Sequence, residues 1–250
     1  MTALAEHHTI PASEWQAVAA ESLERARRFT LPARERHTAH QPDPIEDFLF
    51  GYYPFPLSIL EKWHPGVGVV LERSEENPPH LLGKHYRVTD DSIQADPSTL
   101  TDKQRRRLGY MIELLEATRD RAPNFACHGL HEWAMVYRGR DIRHEKTLTL
   151  RLPQAQIDAL VESRPLCCSH HDAFRFFAKE ARPMNLQQPT LETRAHHEQP
   201  ACLHANMDLY KWAAKAMPWV GSVLLFDCFE LALELRNLDM RASPYDLRPW

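Results

Sequence analysis

The sequence predicts a mainly α-helical protein with a small antiparallel β meander, an α+β fold that forms one globular domain over residues 1–250. Three observations predict this fold. Apolar residues recur at helical spacing in most of the longer segments. Glycine is scarce, at 8 of 250 residues, which favours helices over turn-rich sheets. One segment, residues 66–95, instead has short β-branched runs separated by turn residues, and we interpret it as a small β insertion.

The first predicted element is an amphipathic helix over residues 11–29. Pro11 and Ser13 suit its first turn. Its apolar face is formed by residues at helical spacing, namely Trp15, Val18, Ala19, Ser22, Leu23 and Ala26. Prolines at positions 32, 42 and 44 then predict an irregular connection, because proline disrupts a helix interior.

The next segments combine aromatic residues with proline breaks. Residues 47–63 (DFLFGYYPFPLSILEKW) are unusually aromatic, and Pro54 and Pro56 divide them into two short helical pieces expected to pack on the core. Within residues 66–95, the runs VGVVLER, LLGKHYRV and SIQA are separated by SEENPPH and TDD. These runs predict the three short strands of the meander.

The rest of the chain is predicted to be mainly helical. A long helix is expected over residues 101–121, followed by a possible strand at 148–153 and a helix at 154–162. The run GSVLLFDCFELALELRNLDM predicts a long buried helix over residues 221–240. Residues 241–250 are polar and broken by proline, so an irregular C-terminal tail is predicted.

Composition narrows the partners and the compartment. The formal net charge is −4, so no global positive field would attract nucleic acid, and any contact with DNA has to be local. Five cysteines without CxxC spacing fit a reducing compartment. The chain has neither a signal-peptide pattern at its start nor an apolar run long enough to span a membrane. The expectation is a cytoplasmic protein with free thiols and no membrane partner.

Histidines among carboxylates are the most informative functional feature. Eight of the fifteen histidines fall between His128 and His204. In the first cluster, HGLHEW, a helix over residues 127–137 would place His128, His131 and Glu132 on one face at positions i, i+3 and i+4. That spacing suits metal ligands, although a hydrogen-bonded core histidine and a Glu132 ion pair explain the same residues.

The second cluster, CCSHHD, occupies residues 167–172. If a helix starts here, Asp172 or Ser169 would cap it. Adjacent side chains rarely share a helix face, so one histidine should point inward, and we choose His170. A thiol nucleophile at Cys167 or Cys168 is a weaker hypothesis, because no spacing in the sequence pairs either sulfur with a base.

The third cluster belongs to a strong helix pattern over residues 203–215. It places His204, Asp208 and Lys211 on one stripe at i, i+4 and i+7. His204 and Asp208 could bind one metal together, or the aspartate could fix the tautomer of the histidine. A surface ion pair between Asp208 and Lys211 is the simpler alternative.

The three clusters together allow a metal-dependent enzyme in a helical scaffold. Its predicted ligands are His131, His170 and His204, with Glu132 and Asp208. Mixed nitrogen and oxygen ligands of this kind suit iron, manganese or zinc. A non-catalytic protein whose histidines are buried hydrogen-bond partners remains a third hypothesis.

Six blocks between about Trp15 and Leu247 carry a family resemblance, namely FLFGYYPF, KWHPGVGV, HGLHEWAMVYR, HDAFRFF, EQPACLHANMDLYKWA and LDMRASPYDL. They resemble a bacterial family whose members usually carry the name 3-methyladenine DNA glycosylase. The resemblance implies a base-excision-repair hydrolase that cleaves the N-glycosidic bond of alkylated purines. It implies no cofactor and no obligate protein partner, with damaged DNA as the substrate through local contacts, and it assigns no catalytic residues.

The chemistry of base excision suggests which side chains would be needed. A carboxylate stabilises the oxocarbenium ion or orients water, and aromatic rings stack on the flipped base. The candidate catalytic carboxylates are Asp208, Glu132 and Asp172. The candidate base-binding aromatic residues are Trp133, Tyr137, Tyr210 and Trp212. This glycosylase is the leading functional prediction from the sequence, with the metal-dependent enzyme as its alternative.

Overall fold

A computed structural model describes residues 9–127, 129–139 and 148–248. These residues form a mainly helical structure with one small sheet, which confirms the predicted fold class. The chain divides into two compact units, one containing the described residues of Met1–Leu108 with Tyr210–Glu230, and the other those of Gly109–Leu209 with Leu231–Trp250. Whether the chain is a single domain stays a prediction. Among the described residues, no helix is both long enough and apolar enough to cross a membrane.

The described elements, in chain order, are β1 (Thr9–Ile10), α1 (Ala12–Thr38), α2 (Phe48–Tyr52), α3 (Ser58–Glu61), β2 (Val70–Glu72), β3 (Tyr86–Val88), β4 (Ser92–Ala95), α4 (Asp102–Arg119), α5 (Leu130–Met135), α6 (Gln154–Glu162), α7 (His171–Phe174), α8 (Arg194–His197), α9 (Leu203–Lys215) and α10 (Ser222–Ala242). Both short helices predicted between residues 47 and 63 are present. So are the predicted long helix after residue 101 and the helix at 154–162.

The sheet of the first unit is mixed, with strand order β1-β2-β4-β3. β4 lies antiparallel to both β2 and β3, with Ile93 opposite Leu71 and Val88. β1 adds a parallel edge, pairing Ile10 with Leu71. The three predicted strands are therefore present, but the last of them lies in the centre, so the arrangement is not a simple meander.

Helix α1 continues through Pro32, where the sequence predicted that it would end. The lost backbone hydrogen bond is offset by contacts that hold the C-terminal half of the helix in place. Arg34 donates two hydrogen bonds to Glu61, which also accepts one from Thr30. Arg36 forms a second bidentate pair with Asp47. Tertiary ion pairs just after the proline, with the hydrogen bond of Thr30 before it, thus override its local effect.

Aromatic residues dominate the core of the first unit. Trp15 stacks on Trp63 with ring centroids 6.2 Å apart, beside the buried Leu71 and Ile93 of the sheet. Tyr210 is almost completely buried and makes edge contacts with three rings of this unit, those of Tyr53, Phe55 and Phe229. Trp212, also buried, has the ammonium groups of Lys211 and Lys215 over its ring. Both predicted base-binding residues of α9 are therefore core residues of the first unit.

Three predictions in the second unit need correction. The predicted strand at 148–153 is absent, and Leu150 makes only an isolated antiparallel bridge to Tyr245. The predicted helix at 127–137 is reduced to the six residues of α5, because Gly129 adopts a left-handed conformation just before it. The predicted tail begins later than residue 241, since α10 continues to Ala242.

Candidate functional site

The second unit contains a dense group of buried ionisable side chains. They come from α5, α8, α9 and α10, from the residue before α7 and from the residue after α8. Charged groups are rarely fully buried unless they are paired, so this concentration marks a candidate functional site. The members are His131, Glu132, His170, Arg194, Glu198, His204, Asp208, Arg236 and Asp239.

A tight turn positions Cys127 beside His131. Gly129 has a φ of +74°, and a Cβ atom on it would lie 3.0 Å from the Cβ atom of Ala242. Glycine is therefore needed both for its backbone conformation and for close packing. The turn brings Cys127 Sγ to 3.1 Å from His131 Nδ1. This sulfur–imidazole pair was not predicted, although residues four apart on the predicted helix would share a face.

The other ring nitrogen of His131 faces a buried carboxylate. Nε2 lies 2.9 Å from Oδ1 of Asp239, which is on α10. Burial opposes protonation of His131, but the charges of Asp239 and Cys127 outweigh it and raise the pKa of the imidazole well above its usual value. Burial likewise opposes ionisation of Asp239, and the charge of His131 holds the pKa of Asp239 below its usual range. Cys127, His131 and Asp239 therefore form a continuous chain of three interacting groups.

Cys127 lies in an environment that favours its thiolate. Besides donating to the His170 carbonyl, with Sγ 3.6 Å from the oxygen, the Cys168 thiol interacts with Cys127 as a hydrogen-bond partner. That hydrogen bond, opposed by burial and reinforced by the charge of His131, lowers the pKa of Cys127 to about 4. Cys168 itself has a pKa well above its usual value, because it donates to Cys127 and is buried. Of this pair, Cys127 is therefore the thiol that ionises more readily.

Glu132 and His204 complete a first buried group around Asp239. Oε1 of Glu132 lies 4.0 Å from His131 Nε2, and Nε2 of His204 lies 3.9 Å from Oδ2 of Asp239. Burial, together with the charge of Asp239, raises the pKa of Glu132 to about 7. Burial lowers the pKa of His204 to about 3, so this imidazole is neutral. One ligand atom from each of the four residues lies within 4.8 Å of the others, and the group could hold a metal ion.

A second group surrounds Arg194. Its guanidinium donates to Glu198 at 2.7 Å, to Asp208 at 2.9 Å and to Asp172 at 3.3 Å. Burial opposes its charge, but Glu198 and Asp208 outweigh burial and raise the pKa of Arg194 further above its usual value. His170 Nε2 lies 3.3 Å from the same oxygen of Asp208. His170, Asp172 and Asp208 also have the spacing of metal ligands, but Arg194 already supplies a cation to both carboxylates.

A pocket of about 410 Å³ connects part of this site with the surface. Cys127 and His131 both line it, and so do Cys168 and Cys202. Glu132, His204 and Asp239 are not among its lining residues. A small molecule that enters the pocket therefore meets the sulfur and the imidazole first.

The structure divides the predicted site residues between the two groups. His131, Glu132 and His204 lie together around Asp239, while His170, Asp172 and Asp208 lie around Arg194. The His204 ring connects the groups, with its centroid 4.7 Å from that of His131 and 5.6 Å from that of His170. Asp208 and Lys211 are both buried, so the predicted surface ion pair is wrong, and Asp208 accepts a hydrogen bond from Arg194.

Three important residues were missed in the sequence, namely Cys127, Arg194 and Asp239. A signal existed for one of them. Arg236 and Asp239 are three residues apart on α10, both are buried, and their closest charged atoms are 3.4 Å apart. Two charges at that spacing on a helix predicted to be buried indicate a polar network. Arg194 and Glu198 are four apart, but α8 is too short to be visible as a helix pattern.

The predicted base-binding residues of this unit have structural partners. Trp133 is buried and donates its indole N–H to the Ala242 carbonyl at 2.8 Å. Tyr137 is buried and donates its hydroxyl to Glu162 at 2.6 Å. His128 of the first cluster lies outside the described residues.

Comparison with known proteins adds no family or function. No protein-family model, curated protein or solved structure matches this chain. The resemblance to the family named 3-methyladenine DNA glycosylase therefore stays a prediction, and release of 3-methyladenine from alkylated DNA is the assay that tests it.

Proposed function

We propose that this protein is an enzyme with Cys127 as its nucleophile, His131 as the general acid and base, and Asp239 as the residue that orients the imidazole. The observation that carries the proposal is the chain of contacts from Cys127 Sγ to His131 Nδ1 at 3.1 Å and from His131 Nε2 to Asp239 Oδ1 at 2.9 Å. A nucleophile, a base and an orienting carboxylate in hydrogen-bond contact are the constellation required for covalent catalysis.

The reaction class that suits this arrangement is acyl transfer. The Cys127 thiolate attacks a carbonyl carbon, and the bond from that carbon to the leaving group breaks. The leaving group takes the proton that His131 carries, so a thioester and a neutral imidazole result. Neutral His131 then accepts a proton from water, the resulting hydroxide attacks the thioester, and the carboxylic acid and the Cys127 thiolate are released. Asp239 keeps His131 oriented and stabilises its charged form throughout.

Access to the pocket favours Cys127 and His131 as the catalytic residues over the buried carboxylates of the site. Cys127 and His131 line the pocket, whereas Asp208 is buried and bound to Arg194. A catalytic group has to touch its substrate, so the lining residues are favoured over the enclosed carboxylates. Asp239 can act from behind His131 without meeting the substrate.

An acyl-enzyme assay tests the proposal. Purified protein mixed with p-nitrophenyl acetate should release about one equivalent of p-nitrophenol in a burst, and intact-mass measurement should show one acetyl group on Cys127. Cys127→Ser should remove the burst, while Cys167→Ser, which changes a thiol outside the pocket lining, should keep it. Acetylation spread evenly over the cysteines, or an unchanged burst in Cys127→Ser, would refute the proposal.

A metal centre is the second candidate function, favoured by one specific observation. His131, Glu132, His204 and Asp239 are all buried and offer ligand atoms within 4.8 Å of one another. Two histidines and two carboxylates are a donor set that iron, manganese and zinc accept. Bound there, a metal would supply Lewis acidity, and Cys127 would accept the Nδ1–H of His131 as an outer partner.

The two candidates are separated by substitution of His204. It belongs to the possible ligand set but not to the chain of Cys127, His131 and Asp239. His204→Gln should abolish stoichiometric metal content, measured by elemental mass spectrometry, if the metal candidate is right. If the thiol enzyme is right, the same variant should keep the acetyl burst. Wild-type protein that takes up no iron, manganese or zinc on reconstitution would refute the metal candidate.

A further inference from the structure

The pocket in front of Cys127 has an unusual lining. It is formed by Asn124, Phe125, Cys127, Gly129, His131, Cys168, Ser169, Gln199, Ala201, Cys202, Leu203, Leu238 and Ala242. His131 is the only residue among these that can carry a positive charge, and no lysine, arginine, aspartate or glutamate is among them. Apart from the catalytic pair, the part of the lining that the structure describes is therefore uncharged.

Its polar side chains are largely occupied by internal hydrogen bonds. Gln199 Oε1 accepts from the backbone N–H groups of Asn124 at 2.9 Å and Ala201 at 2.8 Å. Gln199 Nε2 donates to the Asn124 carbonyl at 3.0 Å. The Asn124 side chain in turn accepts from the N–H of Ala126 at 2.9 Å. These amides hold the loop in place, so they present little free hydrogen-bonding capacity to a ligand.

The rim of the pocket carries two exposed apolar side chains. Phe125 is 71% exposed and Leu238, on α10, is 53% exposed. Covering these two side chains with an apolar group is favourable in free energy, because it removes apolar surface from water. Leu203 and Ala242 are further apolar residues of the lining.

We infer that the pocket selects an uncharged, apolar acyl group and delivers its carbonyl carbon to Cys127. This inference rests on the proposed function. A volume of about 410 Å³ suits a small molecule. Among the described lining residues, His131 alone could offer a counter-charge to a substrate anion, and it is already paired with Asp239. Straight or aromatic acyl chains should be preferred over acyl chains that end in a carboxylate.

A matched series of esters measures this selection. The substrates are p-nitrophenyl acetate, butyrate, valerate and hexanoate, with the p-nitrophenyl monoester of glutaric acid as the charged counterpart of the valerate. The rate constant of Cys127 acylation should rise about fourfold per added methylene while the pocket fills. The glutarate monoester should react at least tenfold more slowly than the valerate. Equal rates for valerate and glutarate monoester, or no rise from acetate to hexanoate, would overturn the inference.

Substitution at the rim locates the selection in this pocket. Leu238→Trp should slow the hexanoate reaction more than the acetate reaction, because the larger ring narrows the entrance. Leu231→Trp is the matched control, since Leu231 lies on the same helix, is 37% exposed and is not among the pocket residues. If both variants change the ratio of the acylation rate constants for hexanoate and acetate equally, the acyl-chain selection does not lie in this pocket.

Alkylation separates failure of the pocket from failure of the proposed enzyme. Iodoacetamide and iodoacetate are close in size and differ in charge, and neither needs acyl chemistry. At each cysteine, the rate of alkylation by iodoacetamide is divided by the rate of alkylation by iodoacetate, both measured by peptide mass spectrometry. This ratio should be at least threefold higher at Cys127 than at Cys167. If this selectivity holds and no ester forms a burst, the proposed function fails while the pocket assignment stands. If bursts occur without selectivity, the inference about the acyl group fails alone.

Discussion

The thiolate of Cys127 leads to a strong pH prediction. The hydrogen bond from Cys168 and the charge of His131 place the pKa of Cys127 at about 4, although burial opposes the shift. An ordinary thiol has a pKa of about 8.5, so its thiolate fraction falls more than about 100-fold between pH 8 and pH 5.5. Over the same range, Cys127 should stay almost entirely ionised. Its alkylation rate should therefore change less than twofold.

Cys167 provides an internal reference in the same experiment. Burial raises the pKa of its thiol, so its alkylation should lose at least the full factor expected of an ordinary cysteine. The assay treats the protein with iodoacetamide at several pH values and quantifies each labelled cysteine by peptide mass spectrometry. Measuring both sulfurs in one sample removes the pH dependence of the reagent and the effect of global unfolding.

Variants assign the cause of the flat pH profile. His131→Gln removes the charge that stabilises the thiolate, so the profile at Cys127 should become steep. Cys168→Ser keeps a hydrogen-bond donor and should retain most of the effect. A tenfold loss of wild-type Cys127 alkylation per pH unit would refute the thiolate and with it the electrostatic basis of the proposed enzyme.

Three further predictions concern stability. Asp239→Asn removes the carboxylate that faces buried His131, so the free energy of unfolding in urea at pH 7 should fall by about 3 kcal/mol. A fall of under about 1 kcal/mol would contradict a buried ion pair. Gly129→Ala should lower the free energy of unfolding by about 2 kcal/mol or more, because it adds a close contact with Ala242 to a backbone strain of about 1 kcal/mol. Gly68 has a φ of +89° and open space around it, so Gly68→Ala should show the backbone strain alone. Burial lowers the pKa of His64 from 6.5 to about 4, so between these pH values the unfolded state binds a proton that the folded state does not. The free energy of unfolding should thus fall by about 3 kcal/mol as the pH drops from 7 to 4, at about 1.36 kcal/mol per pH unit. His64→Gln should flatten that dependence, and His37→Gln, at an exposed histidine, should leave it unchanged.

Local patterns predicted the elements of the fold better than their ends. Periodicity identified α6 at its observed bounds and α4 and α10 within two residues, because their sequences agree with their environments. Pro32 was misread because the ion pairs of Arg34 and Arg36 that sustain α1 reach residues 11 to 27 positions further along. Long-range contacts of this kind leave no local pattern.

The site shows the same limit. Spacing within one helix identified His131 with Glu132, and His204 with Asp208, as residues worth attention. It placed His204 and Asp208 in one site, although they serve different groups, because His204 approaches Asp239 and Asp208 binds Arg194. Cys127 was overlooked although it lies four residues before His131, a spacing that places both side chains on one face of the predicted helix.

The state of one imidazole finally decides between the two candidate functions. In the thiol enzyme, His131 carries protons on both ring nitrogens, one directed at Cys127 and one at Asp239. In a metal centre, Nε2 must be deprotonated to bind the ion, and only Nδ1 keeps its proton. Nitrogen NMR of histidine-labelled protein, assigned with His131→Gln, distinguishes these states. Two protonated nitrogens that survive incubation with zinc support the nucleophile, and loss of the Nε2 proton on stoichiometric zinc binding supports the metal centre. The two uses exclude each other in a single molecule, because Nε2 cannot donate to Asp239 and bind a metal at the same time.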